Sequence, residues 1–286
     1  MKILVGTLHA IENELDACMA AIREQTHPAH DSFVISGKPN KEAHDELYQT
    51  FMDRAAEVDL FIKIDADMVV TRPTFFQEVV ERFTADPDLT HLLIAVDDWM
   101  TDRLIMGMHV FRSSHRWHSS RDSSESLFVD MVDVEEKLTK DREQLAPAAI
   151  HCGDPSPFQA FHFGLHKAVK FSQHGRDEVN FNQRETHWRH FKSLDRHYRR
   201  TREPRLNLAR IGFIHALTQR FEPRHVDYSC EETHEAFRKY ATLTTSQLDV
   251  IARGLGPVAW PFLPFKLRRI AANWLCMFAE TDQYHR

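Results

Sequence analysis

Two aspartates end an apolar stretch of the chain and could together bind a metal ion. They are Asp65 and Asp67, within the sequence DLFIKIDADMVV at residues 59–70. Side chains two apart on a strand point to the same side, so these carboxylates would face the same way. Such a pair suits Mg²⁺ or Mn²⁺, which take one or two carboxylates together with substrate phosphates. The structural alternative is that Asp65 pairs with a buried Lys or Arg, while Asp67 caps the turn.

The segments around this pair alternate between strand and helix patterns. Apolar runs predict strands, and apolar residues about four apart predict helices. A strand, helix, strand order predicts an α/β fold with a mostly parallel sheet, helices on both faces, and ligands bound at the carboxyl ends of the strands. The predicted strands are 2–8, 31–37 and 59–70, then THLLIAVDDW and RLIMGMHVFR; the predicted helices include 10–24 and 41–56.

Polar residues end or follow each of the first three predicted strands. Three such groups at one edge of a sheet indicate a binding site more strongly than the aspartate pair does alone. The groups are Thr7, His9 and Glu12 after the first strand, Lys38 and Asn40 after the second, and Asp65 and Asp67 at the third.

The composition is that of a globular protein without a nucleic-acid partner. The 286 residues are 42% hydrophobic and 27% charged, with a net charge of −6. The four cysteines are scattered, which predicts reduced thiols and a cytoplasmic protein rather than a disulfide framework. No apolar run reaches the ~18 residues that span a bilayer, and the N-terminal MKILVGTLHA is better interpreted as a first strand than as a signal peptide.

From about residue 155 helical patterns dominate, and the chain becomes basic. Residues 183–224 contain eleven Lys or Arg and four acidic residues, so this stretch carries +7 and the rest of the chain −13. No Gly/Pro/Ser-rich linker separates the halves. We therefore expect a catalytic domain at 1–180 and a basic, mainly helical extension at 181–286 packed on it.

The N-terminal layout resembles the GT-A fold of nucleotide-sugar glycosyltransferases, closest to the family 2 type. The stretches LVGTLHAIENEL, ISGKPN and KIDADMV carry the resemblance, which covers about residues 1–112. It implies a Rossmann-like sheet and a D-x-D motif that binds a divalent cation through the donor's diphosphate. Lys38 and Pro39 depart from the acidic loop usual in family 2, which leaves the base contact open.

The resemblance also implies roles for the polar groups. Asp65 is expected to contact ribose or metal, and Asp67 to be the firmest metal ligand. The expected nucleoside pocket consists of Thr7, His9, Glu12 and Lys38.

A third metal ligand is sought among the histidines. His151, in IHCG after a short apolar run, can turn toward a diphosphate, and a late His beside a Gly is similar to the extra metal ligand of some GT-A enzymes. His225 is the second candidate. His162 and His166 lie one helical turn apart, although their aromatic neighbours favour packing. His215 has the apolar surroundings of a core histidine.

A general base for an acceptor hydroxyl is sought among three aspartates. Asp97 and Asp98 end the apolar run LLIAV, at the edge of the D-x-D motif if that strand is parallel. Asp154 lies beside His151 and is the preferred candidate, with Asp98 as the second. Solvent exposure or helix capping is the alternative for each.

Two stretches of the extension mix cations with aromatic residues. Trp188, Phe191 and Tyr198 interleave with the basic residues of the first, and the second is GPVAWPFLPFKLRRIAANWLCMF near the end. A solvated helix face, nucleic acid, an anionic acceptor or an anionic membrane surface could account for the first. The second suits an interfacial segment or a helix closing the core.

The resemblance therefore implies a metal-dependent hexosyltransferase of the kind used in polysaccharide biosynthesis. It would transfer a sugar from a nucleotide-sugar donor, with inversion, to a glycan or lipid-linked acceptor. Attachment to the inner face of the cytoplasmic membrane is a further hypothesis. The rivals are a nucleotidyltransferase of sugar phosphates, for which GTLHAIENE is poor in glycine and basic residues, and a non-catalytic nucleotide- or glycan-binding protein.

Overall fold

The first part of the chain folds as alternating strands and helices, as its apolar runs predict. The computed structural model describes residues 1–119, 132–134, 146–173, 181–222 and 226–254. The first elements are β1 Ile3–His9, α1 Leu15–Arg23, β2 His30–Ser36, α2 Asn40–Asp53, β3 Leu60–Asp65, β4 Met68–Val70 and α3 Phe75–Ala85. β1 lies between β2 and β3 and runs parallel to both.

Helices cover both faces of these strands, which explains why the strand sequences are almost continuously apolar. Ile3 and Val5 of β1 face the core cluster that contains residues of α1 and α3. Leu4 and Leu8 face the opposite cluster, which contains residues of α2. This two-sided burial fixes the strand ends, and with them the polar residues that follow.

The D-x-D stretch is not one strand, so the prediction of a single strand over 59–70 is wrong. β3 ends at Asp65, and Ala66 and Asp67 form a turn in which the Ala66 N–H donates to the Leu8 carbonyl at 2.9 Å. The chain then enters β4, which is also buried, so the apolar run continues without marking the break. A turn, rather than the alternation of a strand, orients the two carboxylates.

Two long strands form a hairpin beside β3. These are β5 His91–Asp98 and β6 Arg103–Arg112, and a short strand, β9 Ala149–His151, follows later in the chain. The seven strands are ordered β2-β1-β3-β6-β5-β9-β4. β6 is antiparallel to both β3 and β5. A separate antiparallel pair consists of β7 Trp117–Ser119 and β8 Val132–Val134.

The α/β, Rossmann-like class is confirmed, but the sheet is mixed. Among the described residues, three of the six strand pairings in this sheet are parallel and three are antiparallel. The difference arises because β5 and β6 are joined by a tight turn that includes Asp102 at a φ of 53°, so no crossover helix separates them. β5 nevertheless runs in the direction of β3, and its end lies at the same edge of the sheet.

The described residues from Pro157 onward are mainly helical, as the sequence pattern predicts. Their helices are α4 Pro157–Ser172, α5 Phe181–Thr201, α6 Pro204–Thr218, α7 Glu231–Arg238 and α8 Thr245–Gly254. α4 and α6 pack backbone against backbone where Gly164 faces Gly212. A Cβ on Gly164 would lie 1.7 Å from the Ala209 carbonyl oxygen, and one on Gly212 would lie 2.1 Å from that of Phe161. Only glycine fits at these two positions.

The aromatic residues of the basic stretch face inward. Phe191 of α5 stacks on Phe213 of α6 with ring centroids 4.2 Å apart, and Tyr198 is buried. Arg189 and Arg199 form ion pairs one helical turn back along α5, with Glu185 and Asp195. These contacts favour the interpretation of α5 as a helix with a solvated basic face and a core-facing aromatic stripe.

Because they face the core, Phe191 and Tyr198 are not positioned to contact a membrane surface. The second stretch, with GPVAWPFLPFKLRRIAANWLCMF, lies outside the described residues. Among the residues that the structure describes, no helix is both long and apolar enough to cross a bilayer.

Candidate active site

A cleft of about 420 Å³ opens at the carboxyl ends of β1, β2 and β3. Its strand-end wall includes His9, Lys38 and Asp65. Its other wall is one face of α4, whose cleft-lining side chains recur every three or four positions. They are Gln159, His162, Phe163, His166, Lys167 and Lys170. The cleft is therefore acidic near the D-x-D turn and basic along the later turns of α4.

Asp65 has a lysine partner inside the cleft. Lys63, two residues earlier on β3, donates to Asp65 Oδ1 at 2.7 Å and is only 8% exposed. Asp65 itself is partly exposed toward the cleft. The pairing with a buried lysine, which the sequence offers as the structural alternative for this aspartate, is present. A metal or ribose contact by Asp65 stays a prediction.

Asp67 lies at the centre of the polar contacts. Its Oδ2 is 3.3 Å from His151 Nε2 and 3.1 Å from Cys152 Sγ. Its Oδ1 is buried and has no hydrogen-bond partner among the described residues. Burial favours the neutral acid, but the charge and hydrogen bond of His151, the Cys152 thiol and the charge of Lys63 outweigh it and lower the pKa of Asp67 to about 2.

His151 lies between two carboxylates. It ends β9, where it pairs with Met68 of β4 and Asp98 of β5. Its Nδ1 is 2.8 Å from Asp98 Oδ1 on the side opposite Asp67. Burial lowers the pKa of His151, but the charge of Asp67 and the hydrogen bonds to both aspartates raise it well above the usual value. The two carboxylates therefore favour the protonated form of the ring.

Asp98 orients this histidine. It is 2% exposed, and its Oδ2 accepts hydrogen bonds from the backbone N–H and the hydroxyl of Thr101. Burial raises the pKa of Asp98, and the hydrogen bond and charge of His151 more than reverse the effect. The neighbouring Asp97 is exposed. Asp98 is therefore a positioning residue for His151 and is not open to an acceptor hydroxyl, in contrast to its predicted role as a base.

Cys152 completes the cluster. It is 2% exposed and adopts a φ of 51°, in the left-handed region. Its N–H donates to the Asp67 carbonyl at 2.8 Å, and its Sγ lies 3.6 Å from His151 Nε2. The order Cys152, His151, Asp98 has the pattern of a thiol triad, but burial and the charge of Asp67 raise the pKa of the thiol well above its usual value. A raised pKa argues against a thiolate nucleophile.

The strand-end wall of the cleft contains three of the four predicted nucleoside-pocket residues, His9, Glu12 and Lys38. His9 Nδ1 is 3.2 Å from Ser36 Oγ, and Lys38 pairs with Glu46. Burial and the charges of the D-x-D aspartates raise the pKa of Glu12 to about 7, although a hydrogen bond from the Ala10 N–H lowers it in part. Thr7 is fully buried in the sheet and is not among the described cleft-lining residues.

The structure does not bring Asp154 to the cleft, although the sequence favours it as the base. Its side chain is 76% exposed and pairs with Arg205 at 2.7 Å, and it is not among the described lining residues. It lies three residues after His151, but the chain turns toward α4 and carries it to the surface.

The remaining histidine candidates have other surroundings. His162 and His166 both line the cleft, but His162 Nε2 donates to the Val226 carbonyl at 2.5 Å, and burial lowers its pKa to about 4. His215 is a core histidine, as its sequence context predicts, and its Nδ1 is 2.9 Å from the Tyr240 hydroxyl. His225 lies outside the described residues.

Several cleft residues carry no sequence signal of their own. Lys63 is hidden in an apolar strand, and Cys152 belongs to no C-x-x-C pair. Asp227 and Tyr228 reach the cleft from the extension: Asp227 accepts a hydrogen bond from the Asn40 N–H, and Tyr228 stacks on His162 with ring centroids 3.7 Å apart. Only the sequence HCG, where Cys152 adjoins a candidate metal ligand, could have indicated one of them.

The cluster of Asp67, His151 and Cys152 fits a divalent cation. One potential ligand atom from each residue lies within 4.8 Å of the others. Asp67 turns Oδ2 toward His151 and Cys152, and its other oxygen, Oδ1, has no hydrogen-bond partner among the described residues, so a cation would compensate this buried carboxylate. Asp98 supplies the outer carboxylate that commonly orients a metal-bound histidine.

Comparison with known proteins adds little to this geometry. No protein-family model and no curated protein matches the chain. Among solved structures, the chain is similar to the mannosyltransferase PcManGT from Pyrobaculum calidifontis, in complex with GDP-Man and Mn²⁺. The two chains are 12% identical, the match covers 89% of this chain and 85% of that one, and the TM-score is 0.32. A similarity of this size carries no inference about what the present chain binds or catalyses.

Proposed function

We propose that this protein is a metal-dependent glycosyltransferase that transfers a sugar from a nucleotide-sugar donor. The main support is that one cleft contains both an acidic turn, whose carboxylates could bind a cation, and polar residues at the ends of the parallel strands. Asp67 and His151 line one part of this cleft, and His9 and Lys38 line the other. A sugar nucleotide needs both parts, since its diphosphate links a nucleoside to a sugar.

Asp67 and His151, with Asp65 near them, would hold the divalent cation. A bound cation would neutralise the charge that develops on the diphosphate as it leaves. Lys167, on the facing helix, lines the same cleft and can add positive charge next to the phosphates. His9 and Lys38 would contact the nucleoside, in line with their expected roles.

Transfer with inversion also requires a base for the acceptor hydroxyl. Glu12 lines the cleft and has a pKa of about 7, so a substantial fraction of it is ready to take up a proton near neutral pH. We assign this role to Glu12 in place of Asp154. The basic turns of α4 suit a glycan or lipid-linked acceptor that carries negative charge, which would be met at the cytoplasmic face of a membrane.

Ligand-dependent thermal unfolding tests the proposal. A panel of nucleoside diphosphates and nucleotide sugars is added to the full chain, with and without divalent ions. At a hundred times Kd, a ligand specific for the folded state contributes about 2.7 kcal/mol, which corresponds to a rise in Tm of about 4–5 °C for a chain of this length. Release of nucleoside diphosphate from the stabilising donor then reports turnover.

Two single-charge variants make the test specific. Asp67→Asn should abolish the part of the Tm rise that depends on the divalent ion, together with turnover, while Asp97→Asn, which removes an exposed carboxylate, should keep both. If no nucleotide or nucleotide sugar shifts the Tm with any divalent ion, the proposed function is wrong. If nucleotide binding is the same with and without divalent ions, the proposed metal role is wrong, but the proposal that the cleft binds a nucleotide is kept.

A further inference from the structure

We propose that Cys152 is itself a metal ligand and that the site takes a thiophilic ion, such as Zn²⁺, in preference to Mg²⁺. The proposal rests on the metal role of Asp67 in the proposed function. It concerns this chain's own donor set, in which a soft thiol sulfur joins an imidazole nitrogen and a carboxylate oxygen. Thiolates select zinc and similar ions, whereas Mg²⁺ prefers oxygen ligands.

The spacing of the three donor atoms agrees with a tetrahedral zinc site. Bond lengths of about 2.0 Å to oxygen, about 2.05 Å to nitrogen and about 2.3 Å to sulfur give tetrahedral edges of about 3.3 Å for O–N, about 3.6 Å for N–S and about 3.5 Å for O–S. In the structure, Asp67 Oδ2 lies 3.3 Å from His151 Nε2, and His151 Nε2 lies 3.6 Å from Cys152 Sγ. The distance from Asp67 Oδ2 to Cys152 Sγ is 3.1 Å. Two edges match, and the third would lengthen by a few tenths of an ångström.

The number of protein ligands is that of a zinc site with an open position. Catalytic zinc sites have three protein ligands, and the fourth position holds water or substrate. All three residues here line the cleft, so a fourth ligand can come from there. Asp98, at 2.8 Å from His151 Nδ1, orients the imidazole so that Nε2 points toward Asp67 and Cys152.

The backbone at Cys152 is a further indication that its side chain is used. A φ of 51° is favourable for glycine and costs a residue with a Cβ about 1 kcal/mol. Gly153 follows immediately, yet the left-handed position is filled by cysteine. The N–H of Cys152, donated to the Asp67 carbonyl, fixes this conformation and aims the thiol at the Asp67 carboxylate.

Cobalt spectroscopy tests the proposal without any substrate. The full chain is stripped of metal with a chelator and titrated with Co²⁺, whose thiolate complexes show a charge-transfer band in the near ultraviolet. We expect a saturable band of one Co²⁺ per chain that Zn²⁺ removes and Mg²⁺ does not. Cys152→Ser should lack the band and bind Zn²⁺ at least about 100-fold more weakly, since loss of a ligand costs more than the 10–100-fold loss typical of its outer partners.

Controls separate ligation from folding. Cys230→Ser replaces another described cysteine, which is not among the described cleft-lining residues and whose thiol donates to Glu232, and should keep the band. Circular dichroism and Tm check that each variant is folded. If Cys152→Ser does not fold, Asp67→Asn serves instead and should shift the band and weaken Co²⁺ binding. The proposal is overturned if the wild type binds Co²⁺ without the band, or if folded Cys152→Ser binds Zn²⁺ as tightly as the wild type. An intact band in a protein that binds no nucleotide would refute the proposed function and leave Cys152 as a ligand.

Discussion

Replacing Asp98 with Asn should weaken metal binding although Asp98 does not line the cleft. The substitution keeps the shape of the side chain and removes its charge. An Asn carbonyl can still accept from His151 Nδ1, but its amide then faces the N–H and the hydroxyl of Thr101, which donate to Asp98 Oδ2 in the wild type. One acceptor is thus exchanged for a donor in a buried site.

The magnitude follows from these contacts. Loss of the carboxylate makes His151 less basic, and removal of such an outer partner typically weakens metal affinity 10–100-fold, or about 1.4–2.7 kcal/mol. Leaving the Thr101 donors unsatisfied should cost a further 1–3 kcal/mol or so of folding stability, which appears with and without metal. Asp98 therefore contributes to metal affinity and to stability separately.

Calorimetric titration with Zn²⁺ or Co²⁺ measures the first quantity, and urea unfolding of the metal-free protein measures the second. Asp97→Asn is the matched control, because it makes the same charge change on the next residue of β5 with an exposed side chain. It should leave both quantities unchanged. If Asp98→Asn is folded and its metal affinity stays within twofold of the control, Asp98 does not orient His151 for a metal.

Three further predictions concern other parts of the molecule. Gly212→Ala should destabilise the protein by at least about 3 kcal/mol in urea, since the new methyl would overlap the α4 backbone, whereas Val250→Ala at an exposed position should change stability by less than about 0.5 kcal/mol. Asp154→Asn should leave donor turnover within twofold, because the carboxylate pairs with Arg205 at the surface; a loss of tenfold or more would restore it as the base. Burial lowers the pKa of His215 to about 4, so the stability that its neutral ring contributes is present above pH 6.5 and is lost as the pH falls toward 4, by up to about 3 kcal/mol. Acid unfolding should be less steep in His215→Gln, and an unchanged pH dependence would contradict this assignment.

Local pattern was sufficient for much of the fold. The apolar runs predict β1, which is buried on both faces, and β2, which is only partly buried at the edge of the sheet, and the four-residue spacing over 41–56 gives α2. Parallel strands bring their ends to one edge, so grouping the polar residues that follow them was enough to bring His9, Lys38 and Asp65 together. The predictions of these strands, of α2 and of the shared position of the polar residues require only the spacing of apolar residues and the direction of the strands.

The metal cluster required information that periodicity does not contain. Asp67 and Cys152 are 85 positions apart, and their contact depends on β9, which has only three residues and pairs with two strands at once. A run so short has no period, so its register could not be predicted from the pattern, and only the resemblance led to the expectation that His151 lies near Asp67. The position of Asp154 could not be predicted for the same reason, since it is close to His151 in sequence but the turn into α4 carries its side chain to the surface.

The paired glycines of α4 and α6 have a consequence for how specificity can vary in this protein. Because backbone lies against backbone at Gly164 and Gly212, the two helices cannot move closer together at this point. The space available to a substrate then depends on the side chains of α4 that line the cleft, among them His166, Lys167 and Lys170. A change in the substrate range, by evolution or by engineering, would then require replacement of these side chains rather than a change in the spacing of the two helices.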